Sequence, residues 1–150
     1  MTVLTLQWTF VEFDQYEAAE HEDSEIDVAV ATEHASFQTR LYVTRAQVRA
    51  LASALRAWRL SGEGPHASWG GSEGRGSVDI RFGFEPPGRV AIALRLQRRS
   101  VRTGFGVMAD RVELYVVSEP ILIDDFADRL MEMAEWRNCS AELQAAPRLS

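Results

Sequence analysis

Residues 37–58 read FQTRLYVTRAQVRALASALRAW, and the spacing of their apolar side chains changes partway along. Up to Val43 the residues Phe37, Leu41 and Val43 share one face with Thr39, which is typical of a strand with one buried face. From Thr44 onward the apolar side chains recur at spacings of three and four, which indicates one apolar stripe along a helix. Thr44 and Gln47 also form a capping-box pattern, in which each side chain can pair with an unsatisfied backbone amide. The stretch therefore predicts a strand that runs directly into a capped helix over 44–60.

The segments before this stretch predict two more strands. Apolar residues alternate with polar ones over 3–13 and again over 26–31. The alternation falls out of step near Phe10, where we expect a bulge in the first strand. Because short polar segments separate the three strands, we expect them to form an antiparallel meander.

The segments after the helix predict a hairpin and then a further strand. Residues 77–84 and 89–97 alternate and flank Glu85-Pro86-Pro87-Gly88, whose prolines and glycine favour a tight turn. Residues 112–117 alternate as well, so they predict another strand. The segment 98–111 between them is rich in arginine and glycine, and it fits either an edge strand or a loop.

The C-terminal part predicts one more helix and then a tail. Apolar residues at helical spacing recur within 120–138, whereas 139–150 shows no such pattern, so we expect a disordered tail there. The sequence thus predicts one α+β domain over 1–138. It holds a mostly antiparallel sheet of about six or seven strands, in the order βββ-α-ββ(β)β-α, with two helices packed on it.

The bulk composition excludes several classes of protein. The chain has 150 residues, of which 46 % are hydrophobic and 25 % charged, which is typical of a single globular domain. No apolar run approaches the ~20 residues of a membrane span. The first residues, MTVLTLQWTF, lack the basic start of a signal peptide. With Cys139 as the single cysteine, no internal disulfide can form, and we expect a cytoplasmic location.

The charges are unevenly distributed along the chain. Residues 1–39 contain nine carboxylates and no arginine, whereas residues 75–111 contain eight arginines and three carboxylates. The formal net charge of −6 argues against sequence-independent binding to nucleic acid. We therefore expect neither a nucleic-acid nor a membrane partner.

The glycine-rich stretch, residues 68–76, reads SWGGSEGRG and could be either a phosphate-binding loop or a connector. Phosphate loops follow a strand and open onto the N-terminus of a helix. Here a predicted helix precedes the stretch and a predicted strand follows it, so we interpret it as a helix-to-hairpin connector. Trp69 within it either packs the loop down or offers an exposed anchor to a partner, and packing is favoured because large aromatic residues are mostly buried.

The sequence lacks the motifs that would indicate catalysis or a metal site. It contains no HExxH or EF-hand spacing, and Gly70-Gly71-Ser72-Glu73-Gly74, which matches GxSxG, lacks the strand-to-helix elbow of a serine nucleophile, so we expect no catalytic residue, no metal and no cofactor. The acidic run over 17–27 could offer oxygen ligands to a divalent ion, but a solvent-facing segment is the simpler interpretation. The same run could also contact a basic protein partner.

Three runs taken together carry a resemblance to a known family. FQTRLYVTRAQVRALASALRAW, SWGGSEGRGSVDIRFGFEPPGRVAIALRLQ and VELYVVSEPILIDDFADRLMEM, in this order, resemble the WapI-type immunity proteins and related uncharacterised bacterial families. The resemblance covers residues 37–134 and implies a non-enzymatic protein that neutralises a toxin, commonly a nuclease, by direct binding. The partner would then be a basic toxin domain. The candidate partner-binding residues are Glu17, Glu20, Glu22, Asp23, Trp69, Glu73 and Arg75.

Two other functions remain open at this point. The arginine-rich region could bind an anionic ligand, as a binding protein or an enzyme, if several of its guanidinium groups converge on one pocket. That hypothesis loses its basis if they fan out into solvent. Alternatively, the chain could be a structural domain that forms a homodimer through an open sheet edge. The candidate anion-binding residues are Arg89, Arg95, Arg98, Arg99 and Arg102, together with Arg75.

Overall fold

The structure is a computed structural model that describes residues 1–9 and 19–147, apart from the side chain of Glu73. Phe10, the site of the predicted bulge, lies outside the described residues. Within them the chain forms ten strands and two helices. In chain order these are β1 (Thr2–Trp8), β2 (Asp23–Ala31), β3 (Ser36–Thr44), α1 (Arg45–Ala57), β4 (Glu63–Gly70), β5 (Ser77–Glu85), β6 (Arg89–Gln97), β7 (Val101–Thr103), β8 (Gly106–Met108), β9 (Arg111–Ser118), α2 (Pro120–Ala134) and β10 (Ser140–Pro147).

Eight of the strands form one antiparallel sheet, in the order β3-β2-β1-β10-β9-β6-β5-β4. The other two, β7 and β8, pair only with each other and form a short hairpin over residues 101–108, here called the arm. The predicted α+β class, the meander of β1 to β3 and the hairpin of β5 and β6 are confirmed. The number of strands is higher than predicted, because β4, β10 and the division of the arm into two strands were missed.

The two helices cover one face of the sheet and bury its apolar side chains. Along β2 and β6 every second residue is buried, which places one side of each strand in the core that the sheet shares with α1 and α2. Phe126 and Leu130 of α2 lie fully buried between the helices and the sheet. Burial of a side chain of this size stabilises the fold by about 1.5–3 kcal/mol. The opposite face of the sheet carries the alternating polar residues and faces solvent.

The predicted cap of α1 is present. Gln47 N donates to Thr44 Oγ1 at 3.1 Å, and Thr44 N donates to Gln47 Oε1 at 2.8 Å. The helix therefore begins at Arg45, where the sequence predicts it. It ends at Ala57, three residues before the predicted end at residue 60.

The connector predicted after α1 is wrong over Glu63–Gly70, which forms strand β4. The sequence EGPHASWG hides this strand, since Gly64 and Pro65 are poor strand formers and only Ala67 and Trp69 are buried. An edge strand tolerates such residues because one side of its backbone has no strand partner. The glycine-rich stretch is thus the end of β4 and its turn into β5.

The tail predicted for 139–150 is wrong over Ser140–Pro147, because this segment forms strand β10 between β1 and β9. The strand alternates regularly, but Ala141, Leu143 and Ala145 are its buried residues, and two of these are small. Small side chains suit this position because α2 packs directly on β10. They also make the strand weakly apolar, so its sequence resembles a polar tail.

The sheet is curved, so that its two edges approach each other. A Cβ on Gly70, at the end of β4, would lie 3.1 Å from Leu41 Cβ on β3. A Cβ on Gly76 would overlap Thr39 Oγ1, and that hydroxyl donates to Gln97 O at 2.7 Å. This curvature brings β3 against the glycine-rich stretch and the end of β6. Among the described residues, neither helix is long and apolar enough to cross a membrane.

Candidate functional site

The arm presents apolar side chains to solvent at its tip and along its strands. Phe105 is 94 % exposed and Val107 is 70 % exposed, and Val101 and Met108 are each more than half exposed. Isolated exposed apolar residues are common, but here four lie within eight residues. Val101 lies opposite Met108 and Val107 opposite Arg102, so the two faces of the hairpin both carry exposed apolar side chains. Concentrations of exposed apolar side chains on soluble proteins mark sites of interaction.

The tip of the arm is held in a defined conformation by its own hydrogen bonds. Thr103 Oγ1 donates to Gly106 O at 3.0 Å and accepts from Phe105 N at 3.1 Å. Gly106 adopts a φ of +105°, which a residue with a side chain rarely takes. Phe105 therefore projects from an ordered turn.

The base of the arm is tied to the sheet. Ser100 N donates to Gly74 O at 2.6 Å, and Arg98 N donates to Asp110 O at 2.9 Å. The Arg98 guanidinium also donates to Asp110 Oδ2 at 3.3 Å. These bonds couple the position of the arm to the glycine-rich stretch.

A groove of about 350 Å³ lies beside the base of the arm, where β3 meets the glycine-rich stretch and the end of β6. We call it the arginine groove. Its cationic side chains come from segments far apart in the sequence, and the curvature of the sheet brings them together. They are Arg40, Arg75, Arg98 and Arg99.

Two of these guanidinium groups stack on aromatic rings of β3. Arg75 Cζ lies 4.6 Å from the centroid of the Tyr42 ring, and Arg98 Cζ lies 4.5 Å from that of Phe37. Arg98 Nε also donates to Gln38 O at 3.2 Å. A cation–π contact occupies no oxygen acceptor, so the guanidinium N–H donors that do not point at the ring are left for other partners.

Acidic neighbours neutralise a third arginine of the groove. Arg40 Nε donates to Asp27 Oδ1 at 2.9 Å and lies 3.6 Å from Glu25 Oε1. The hydrogen bond to Asp27 and the charges of Asp27 and Glu25 raise the pKa of Arg40 above its usual value. Arg40 therefore remains charged but brings little net charge to the groove.

The outer face of the sheet carries a separate set of ion pairs. His66 Nε2 lies 3.0 Å from Asp79 Oδ2, and Arg81 Nε lies 3.6 Å from the other carboxylate oxygen. Partial burial by itself would raise the pKa of Asp79, but the hydrogen bond and charge of His66 and the charge of Arg81 outweigh it and lower that pKa. The group links β4 to β5 on the side away from the core.

The structure brings together only some of the predicted anion-binding arginines. Arg75, Arg98 and Arg99 share the arginine groove, whereas Arg102 lies on the arm. Arg95 instead lies 3.0 Å from Glu113 on the outer face. Arg89 lines a different cleft, at the start of α2. Three of the candidate arginines therefore lie at one groove and the other three do not, and Arg40 belongs to the observed groove although its sequence position gave no sign of it.

The predicted partner-binding residues also fall into separate environments. Trp69 is 4 % exposed, so the favoured prediction, that it packs the stretch down, is confirmed and its candidate role as an exposed partner contact is wrong. Arg49 donates to Glu20, and Glu22 Oε2 accepts from Ala19 N at 3.1 Å. Asp23 is exposed at the start of β2. Glu17 and the side chain of Glu73 lie outside what the structure describes, and Arg75 lies in the arginine groove.

A larger and mainly apolar cleft of about 820 Å³ lies where β9 runs into α2. Val117, Pro120 and Leu122 line it, with Arg89 and Glu119 at the same cleft. Ile121 on its rim is 72 % exposed. It is a second exposed apolar position, separate from the arm.

Sequence reasoning missed the arm as an exposed site. A signal was present, since Thr103-Gly104-Phe105-Gly106 between two short apolar segments is typical of a hairpin turn.

In the described part of the chain, no group of three His, Cys, Asp or Glu side chains could hold a metal ion. No protein-family model, curated protein or solved structure matches the chain. A functional assignment therefore rests on the arm and the arginine groove.

Proposed function

We propose that this chain is a non-enzymatic binding protein that holds a protein partner against the arm, and that it acts in the cytoplasm as an immunity protein neutralising a toxin. The observation that carries the proposal is the exposure of Phe105 and its apolar neighbours on an ordered hairpin. The resemblance to WapI-type immunity proteins supplies the biological role.

The energetics of the arm support a binding role. Burial of one large apolar side chain contributes about 1.5–3 kcal/mol, and interface hot spots are formed by a few such residues at the centre of a contact. Phe105 and Val107 both lie on the arm, outside the core, so a partner can cover them without disturbing the fold. Because the tip is already ordered, binding would cost little conformational entropy there.

The charges around the arm indicate the kind of surface that fits it. Arg99 and Arg102 flank the apolar residues, so a complementary surface has an apolar pocket with carboxylates at its rim. The predicted contact through the acidic run has less support, because Glu20 and Glu22 already have partners within the chain. That the toxin is basic overall stays a prediction. Because the arm is flanked by arginines, such a toxin would have to contact it through a local acidic part of the toxin surface.

The experiment is co-expression of this chain with the toxin domain encoded beside its gene. We expect the wild-type chain to restore growth and to bind the purified, inactivated toxin domain in calorimetry. The variant F105S/V107S should lose protection and bind at least about tenfold more weakly. I121S is the control, since Ile121 is about as exposed as Val107 but lies on α2.

Two results would overturn the proposal. One is the absence of a toxin domain beside the gene together with no protection against any toxin domain tested. The other is full protection by F105S/V107S, which would place the contact elsewhere.

The molar mass of the free protein in solution tests the remaining prediction, a homodimer through a sheet edge, because it distinguishes one copy from two.

A further inference from the structure

The arginine groove contains positive charge that the described part of the chain does not neutralise. Arg40 is paired with Asp27, and Arg98 shares Asp110. Among the described side chains, no carboxylate lies within ion-pair distance of Arg75 or Arg99, and neither guanidinium donates a hydrogen bond. Each guanidinium carries five N–H donors, so two complete sets of donors face the groove or the solvent beside it.

The groove is also preorganised. The Arg75 guanidinium lies over the Tyr42 ring, and that of Arg98 lies over the Phe37 ring. Long side chains lose conformational entropy when they order around a ligand, and stacking reduces that cost in advance. Gly76 forms part of the wall and allows the close approach of β3, because a Cβ there would overlap Thr39.

We propose that the arginine groove binds a phosphate group, as inorganic phosphate or as the phosphate of a small monoester. Arg75 and Arg99 supply the main donors, and Arg98 supplies those that remain after its bonds to Gln38 and Asp110. A phosphate fits better than a single carboxylate because its oxygens can accept from several guanidinium groups at once, and arginine pairs with phosphate in a bidentate manner. The volume of 350 Å³ lies at the lower end of the range for small-molecule sites, about 300–1,000 Å³.

The test is calorimetric titration of the purified full chain at constant ionic strength. The probes are inorganic phosphate, O-phosphoserine and, as the carboxylate comparison, glutamate. We expect both phosphates to bind and glutamate to bind at least about tenfold more weakly. The variant R75Q/R99Q should lose at least about tenfold in phosphate affinity. R129Q is the matched control, since Arg129 is exposed on α2 and lies 4.0 Å from Asp125, away from the groove.

The outcomes are distinct from those of the toxin experiment. F105S/V107S should bind phosphate like the wild type. A result that overturns the proposed role of the arm therefore does not affect the phosphate proposal, and a result that overturns the phosphate proposal does not affect the role of the arm. Equal phosphate binding by R75Q/R99Q and the wild type would overturn the proposal, as would glutamate binding as tightly as phosphate. No binding of either phosphate would overturn it too. Circular dichroism of R75Q/R99Q checks that it is folded, which we expect because both arginines are exposed.

Discussion

The glycine-rich stretch and the arm have similar compositions but lie in opposite environments. Each combines glycines and an arginine with one large aromatic residue, yet Trp69 is 4 % exposed and Phe105 is 94 % exposed. The difference comes from strand pairing. Trp69 lies opposite Val78 in the register of β4 and β5, on the face that the helices cover, whereas Phe105 lies in the turn of a hairpin that pairs only with itself.

The glycines of the two segments differ in the same way. Gly70 has a φ of +77°, and a Cβ there would overlap Gly76 O. Gly104, near the tip of the arm, has nothing within 4 Å of such a Cβ. A high glycine content therefore accompanies close packing in one segment and an open turn in the other, so it does not by itself indicate exposure or ligand binding.

The largest expected effect comes from exchanging the two aromatic residues for alanine. Trp69→Ala should lower the free energy of unfolding by about 3–5 kcal/mol, because it leaves a large cavity in the core. Phe105→Ala should change it by less than about 0.5 kcal/mol, because the ring contacts mainly solvent. Urea unfolding followed by circular dichroism measures both values.

If Trp69→Ala does not fold, Trp69→Phe is the variant to compare with Phe105→Ala. Trp69→Phe keeps most of the apolar volume, so we expect a smaller but still measurable loss of stability. If Phe105→Ala cost as much as either Trp69 variant, the arm would have to pack against the domain, and the contrast between the two segments would disappear.

The second effect concerns the glycines. Gly70→Ala should destabilise the fold by at least about 2 kcal/mol, because it combines a left-handed backbone conformation with an overlap against a carbonyl oxygen. Gly104→Ala is the matched control on the arm and should stay within about 0.5 kcal/mol of the wild type. The same urea unfolding experiment compares them. Equal losses for both variants would contradict the close approach of Gly76 O to Gly70.

The parts of the fold that were predictable have signals that are local in the sequence. The cap of α1 depends on Thr44 and Gln47, only three residues apart, and the hairpin of β5 and β6 depends on the turn between them. Strands β4 and β10 have no comparable signal. Their burial depends on α1 and α2 packing over small residues such as Ala67 and Ala141, and this contact is not encoded in a local pattern.

One of the two candidate sites has a local sequence signal and the other has none. The tip of the arm could have been found from Gly104 and Gly106 around Phe105, because a hairpin turn is a local feature. The arginine groove could not, because Arg40, Arg75 and Arg98 meet only after the sheet curves and its edges approach each other. A count of arginines along 75–111 groups Arg95 with them, although the alternation of the strand places Arg95 on the outer face, beside Glu113.

The smallest expected effect is a dependence on pH that should appear in the β4–β5 hairpin and not in the arm. The lowered pKa of Asp79 stabilises the fold above about pH 4, the ordinary pKa of an aspartate, and this contribution is lost as the pH falls through the lower value in the folded state. Residues 101–108 contain no carboxylate that could act in this way. At pH 7, Asp79→Asn should therefore cost less than about 1 kcal/mol, since the group is partly exposed to solvent, and the difference from the wild type should shrink below pH 4. Urea unfolding of both proteins between about pH 7 and about pH 2, where the contribution of Asp79 is lost, measures this difference in the free energy of unfolding.

In a His66→Ala background the effect of Asp79→Asn should become smaller, because the hydrogen bond from His66 is the largest of the contributions that lower the pKa of Asp79. An undiminished effect in that background would mean that Asp79 acts mainly through Arg81.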